Sequence, residues 1–153
     1  MALIIKSKFI KEDILDENEN KIGELKFNPN DSRIMKKMST LIKEFSSAIK
    51  EINELDKVKK PKSDLKTLED FENASDYFEA FDKATDLEIS VVDKLIDGLS
   101  EIFGRETVEL FTQGTKDAES LLPIISFMEP YVKENRQSQV NKYLDKKSDE
   151  VME

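Results

Sequence analysis

The pattern that most restricts what this chain can fold into lies between Asp70 and Gly104. There Phe71, Ala74, Phe78, Phe81, Val92, Leu95, Leu99 and Ile102 keep heptad spacing, and Val91, Ile96 and Phe103 widen the stripe in its second half. Apolar residues at steps of three and four mark a helix that buries one broad face, so one long central helix is expected over 70–103. Thr85 and Glu88 interrupt the stripe, which predicts a bend or local break near Thr85–Glu88. Gly98, inside the pattern, leaves room for a close approach. Gly104 is expected to cap the helix end.

A second stripe precedes it. Ile34, Met38, Leu41, Phe45, Ala48, Ile52 and Leu55 follow one another at 4, 3, 4, 3, 4 and 3 residues, with Ile42 and Ile49 widening one side. This predicts a helix over 31–55, its start capped by Asn30, Asp31 or Ser32 after the break at Pro29. Such a seam serves either as core within one chain or as a contact between subunits. The second reading predicts a homo-oligomer held through Met38, Leu41, Phe45, Ala48 and Ile52.

Ahead of the helices, FIKEDIL and KIGELKF flank the turn-forming DENEN, which reads as a β-hairpin over 8–27, with Ala2 to Ser7 able to extend its first strand. An isolated hairpin is marginal in water. It must lean on the helices or pair with another copy. Asp16, Asn18 and Asn20 match the first, third and fifth places of a calcium loop, but Lys21 stands where that loop needs Gly and Phe27 where it needs a bidentate Glu, so the turn reading prevails.

Residues 56–69 carry five lysines and Pro61 and read as a basic, mobile link. After Gly104, RETVELF forms a short helix over 105–112, and a last helix is expected over 116–144, kinked or split by Pro123 and Pro130. Residues 145–153 are expected to fray. The fold class is therefore α+β, mainly α: an N-terminal β-hairpin followed by an amphipathic helical bundle with one long central helix. A chain of 153 residues fits one domain, 1–153, with a helical region over 70–144.

The chemistry of the chain excludes more than it suggests. With no His and no Cys, the usual bases, nucleophiles and thiolate ligands are missing, and four scattered glycines form no phosphate loop. No enzyme activity, cofactor or metal is expected. Carboxylate pairs such as Asp82/Asp86 and Asp93/Asp97 lack the Glu-x-x-His partners of a diiron bundle. Eleven acids against Lys83 and Lys94 give residues 69–101 the whole net charge of −9. Nucleic acid is excluded as a partner because phosphate binding needs a basic face. The longest apolar run, Leu121 to Phe127, is far shorter than the roughly 20 residues of a bilayer helix, and no secretory leader follows Met1. Anionic lipid would want a basic polar face where this chain has an acidic one. The expected setting is cytoplasmic, with protein as the partner. Ile102, Phe103, Leu110, Phe111, Leu121, Leu122, Ile125 and Met128 supply more apolar surface than one thin bundle needs, and they are the candidate partner-binding residues.

A hairpin, then Phe27-Asn28-Pro29-Asn30-Asp31 leading into an amphipathic helix, a lysine-rich link, Leu99-Ser100-Glu101-Ile102-Phe103-Gly104, Leu110-Phe111 with Gly114, and a helix opening on Leu121-Leu122-Pro123 follow in that order. From about Phe9 to Val132 this resembles the small tail assembly chaperones of long-tailed, siphovirus-type phages and prophages of Gram-positive bacteria. The resemblance implies a non-enzymatic protein of the host bacterial cytoplasm that coats the tape measure protein, keeps its hydrophobic helices from aggregating and helps recruit tail tube subunits. Members of that family are often mostly helical and self-associating and often occur in two lengths through ribosomal frameshifting, and the resemblance fixes no residue-level site. Two other classes fit the residues: a helical oligomeric scaffolding adaptor, and an acidic decoy imitating DNA.

Overall fold

The computed structural model describes residues 2–61 and 64–152, with backbone alone at 138–139, 142–143 and 145–152. The chain is α+β and mainly α, a two-stranded antiparallel hairpin followed by four helices. Strand β1 (Ile10–Leu15) pairs with β2 (Lys21–Phe27), Ile10 opposite Phe27 and Ile14 opposite Gly23, with an irregularity between Ile14 and Leu15. The turn is built by Asp16, whose carboxylate accepts the N–H groups of Asn18 and Asn20, both at 2.9 Å. Those bonds, the one to the Asn20 N–H above all, hold its carboxyl below the ordinary carboxylate range. Residues 2–9 pair with no strand, so the first strand is not extended over Ala2 to Ser7.

Helix α1 (Ser32–Leu55) starts where expected, with Asp31 accepting the Arg33 N–H. Helix α2 (Leu68–Phe103) begins with a reciprocal capping box between Thr67 and Asp70 and ends at Gly104, whose N–H donates to Ser100 O and whose φ is 91°. The link before it spans 56–67, of which Lys62 and Ser63 lie outside the described residues.

No break interrupts α2. Glu88, the residue that spoils the stripe, turns its carboxylate to accept the N–H of Ala118 at 2.9 Å. It thereby receives a backbone donor of the loop that opens the next segment. A charged acceptor on a half-buried N–H contributes about 1.5–3 kcal/mol, and the N–H left behind is costly. Glu88→Ala is therefore expected to lower stability by about 1–2 kcal/mol in urea unfolding. A change within a few tenths of a kcal/mol would mean that water serves the Ala118 N–H equally well.

Helix α3 (Arg105–Thr112) is followed by a loop, one 3₁₀ turn (Glu119–Leu121) and α4 (Leu122–Met152). The last helix starts later than residue 116 because Asp117 takes the N–H and hydroxyl of Ser120. Pro123 does not split it. It sits in the first turn, where its missing N–H has no intrahelical acceptor. Pro130 lies within the helix, which continues past it. The expected fray over 145–153 is helical to Met152, and Glu153 lies outside the described residues.

Helices α1 and α2 run antiparallel. Lys37 pairs with Glu101, the end of Leu41 lies over Gly98, and Ala48 shares a shallow cleft with Leu87 and Val91. The core they share with α3 and the first half of α4 contains Met38, Val92, Leu95, Leu99, Val108, Leu121, Ile124 and Met128, each fully buried. The hairpin leans on helices through Leu25 and Phe27, both buried. At Gly23 a Cβ would lie 2.6 Å from Leu110 Cδ1, so glycine is what lets β2 come down on α3. Asn135 of α4 donates to Pro29 O at 2.9 Å and ties the junction of hairpin and α1.

Candidate functional site

The expected seam between subunits is spent inside the chain. Met38, Leu41 and Ala48 are buried against the other helices, and Phe45, half-buried, packs on the same core; Ile52, nearer the helix end, is half-buried. The expected partner-binding cluster is likewise largely interior. Leu121, Ile125 and Met128 are buried, and Ile102, Phe103 and Phe111 pack on the core. Leu110 is half-buried under Gly23 of the hairpin. Of the eight, Leu122 alone is exposed. The surplus counted from sequence disappears because α4 packs on α1 and covers the base of the hairpin, where Phe127 and Tyr131 meet Phe27.

Exposed apolar surface lies elsewhere. Helix α2 has 36 residues and α1 has 24, about 54 Å against about 36 Å at 1.5 Å per residue. Continued at the antiparallel register of Lys37–Glu101 and Leu41–Gly98, Leu55 falls beside Ala84. From Leu68 to about Lys83, then, α2 projects beyond the helix it packs on. In its first half only Ala74 and Ala84 are buried.

On this projecting half Phe71, Phe78 and Phe81 are 56%, 46% and 54% exposed. Phe78 and Phe81 stand eighteen residues before Ile96 and Leu99, about five full turns. They occupy the face that Ile96 and Leu99 bury in the second half. The same stripe is therefore core at one end of α2, while at the other its three phenylalanines are half-exposed around a buried Ala74.

The charge follows the same division. In the second half Asp93 pairs with Lys116, Asp97 with Arg105 at 3.0 Å and Glu101 with Lys37. In the first half, Glu72, Asp76, Glu79, Asp82 and Asp86 make no ion pair among the described residues. The result is an aromatic stripe flanked by carboxylates that make no ion pair among the described residues. Its chemistry suits an apolar segment bearing cations, since aromatic side chains carry most of the energy at protein interfaces and surrounding charge sets the choice of partner.

Among the described residues, no group of three or more His, Cys, Asp or Glu is arranged to hold a metal, and no helix is long and apolar enough to cross a membrane. Comparison with family models, with curated proteins and with solved structures gives no match to this chain.

Proposed function

We propose that this chain is a non-enzymatic phage tail assembly chaperone that holds hydrophobic helices of a tape measure protein in the host bacterial cytoplasm and aids assembly of the tail tube. The observation that carries the reading is the half-exposed aromatic stripe at Phe71, Phe78 and Phe81 on the part of α2 that extends beyond α1. A helix laid along it would continue the packing that α1 gives the other half. The order of motifs from Phe27 to Pro123 supports the same reading through its resemblance to that family. Exposed aromatics between the carboxylates favour a protein ligand over an imitation of DNA, which needs no apolar stripe.

Co-expression with a siphovirus-type tape measure protein tests the proposal. The chain is expected to keep that protein soluble and to co-purify with it. Replacing Phe78 or Phe81 by Ser is expected to weaken the complex by about 2 kcal/mol, some thirtyfold, as truncation of a central aromatic anchor does. Circular dichroism should remain unchanged, because both side chains are half-exposed. A tape measure protein equally soluble without this chain would end the chaperone reading and favour a scaffolding adaptor.

A further inference from the structure

The chain carries a second exposed apolar element, and it lies at the other end of the molecule. Leu3, Ile4 and Ile5 are 96%, 86% and 92% exposed, in an arm over residues 2–9 that pairs with no strand. The arm contains Lys6 and Lys8 and no acid. It passes the turn at Pro29 and Asn30, beside the start of α1. Three consecutive aliphatic residues in water, followed by two cations, are the complement of a stripe of phenylalanines set among Glu72, Asp76, Glu79 and Asp82, which make no ion pair among the described residues.

The arm lies away from that stripe within its own chain, against Pro29 and Asn30. Its root, Ile10, is paired with Phe27, and the Phe27 ring lies 6.1 Å from that of Phe103 at the C-terminal end of α2. From Phe103 back to Phe81 is about 33 Å along the helix axis, and to Phe71 about 48 Å. Fully extended, the residues from Ile10 back to Leu3 span about 25 Å at most. The arm and the stripe therefore belong to opposite ends of one molecule. In an antiparallel pair of copies, related by a two-fold axis, each arm is brought beside the other copy's stripe.

We propose that two copies of this chain form an antiparallel dimer by reciprocal exchange of arms, with Leu3, Ile4 and Ile5 of one copy seated on Phe71, Phe78 and Phe81 of the other, and Lys6 and Lys8 among Glu79 and Asp82. The seam of α1 plays no part, since it is core. The proposal goes beyond the chaperone reading and is tested without any client, so either can fail alone. A client helix that uses the stripe displaces an arm.

Sedimentation equilibrium of the full chain at tens of micromolar is the test. The unaltered chain is expected to be dimeric, and Ile4→Asp or Phe78→Asp, both at exposed positions, should each raise the dimer dissociation constant at least tenfold with unchanged circular dichroism. Charge exchange identifies the contact. Lys6→Glu with Lys8→Glu makes one chain, Glu79→Lys with Asp82→Lys another; each alone should be monomeric. Mixed, they should form a heterodimer, because every arm then meets a stripe of opposite charge. A monomeric unaltered chain overturns the proposal. So does a dimer whose dissociation constant is unmoved by Ile4→Asp and Phe78→Asp, or the absence of heterodimer on mixing.

Discussion

Phe27→Ala is expected to destabilise the chain by about 3–5 kcal/mol, the usual cost of truncating a buried phenylalanine. Phe27 is the last residue of β2, 3% exposed, and its ring meets three others edge-on: Phe103 of α2 at 6.1 Å, Phe127 of α4 at 5.7 Å and Tyr131 of α4 at 5.0 Å. Each aromatic pair contributes about 0.5–1.5 kcal/mol beyond the area it buries. Against a total stability of about 5–15 kcal/mol for a domain of this kind, the loss is a large fraction. It should also be uneven. A two-stranded hairpin has little stability of its own, and Phe27 is its deepest point of attachment. Amide exchange at Lys11 to Lys26 is therefore expected to accelerate more than exchange in α1 or in the second half of α2. Phe27→Leu, which keeps most of the volume, should recover more than half of the loss. Urea unfolding of Phe27→Ala within 1 kcal/mol of the parent would show that the hairpin is held by other contacts, such as Leu110 against Gly23.

What the sequence makes legible here is periodicity. The stripe from Ile34 to Leu55 locates α1 to within a residue or so, and the turn residues of DENEN locate the hairpin, because each of these signals is local. Glu88 is misleading for a physical reason. In sequence it is a charge that breaks an apolar stripe; in space it serves the Ala118 N–H, a partner thirty residues away. The candidate partner-binding residues fail for another. Counting Leu121, Ile125 and Met128 with Ile102 and Phe111 gives an apolar surplus only if α4 packs along one side of a thin bundle. It instead packs on α1 and, through Phe127 and Tyr131, on Phe27 of the hairpin. Missed altogether was the half-exposed stripe, since Phe71, Phe78 and Phe81 obey the same spacing as the buried Leu95 and Leu99. The available signal was the mismatch in length between the two heptad stretches. A helix a dozen residues longer than its neighbour must leave part of its face uncovered or covered by something else.

Helices α1 and α2 approach closely at Gly98, and Gly98→Val is expected to cost about 3 kcal/mol. A Cβ at this position would stand 2.5 Å from Cδ2 of Leu41 and within 3.4 Å of its Cδ1 and Cγ. The whole end of Leu41 would have to move, and that side chain is buried between the helices. Overpacking of this sort costs about 1–3 kcal/mol, and valine at the middle of α2 meets it with two further methyl groups. Helix propensity acts in the opposite direction, because glycine is the poorer helix former, but by a few tenths of a kcal/mol only. A double-mutant cycle separates the two effects. Leu41→Ala alone should cost about 2–5 kcal/mol by opening a cavity over Gly98. In that background Gly98→Val no longer meets an obstacle, fills part of the cavity and gains its propensity. The double variant is therefore expected to be more stable than Leu41→Ala, with a coupling energy of about 3 kcal/mol. Additive losses in the cycle would mean that Leu41 does not press on Gly98, and that the register does not bring Leu55 to Ala84.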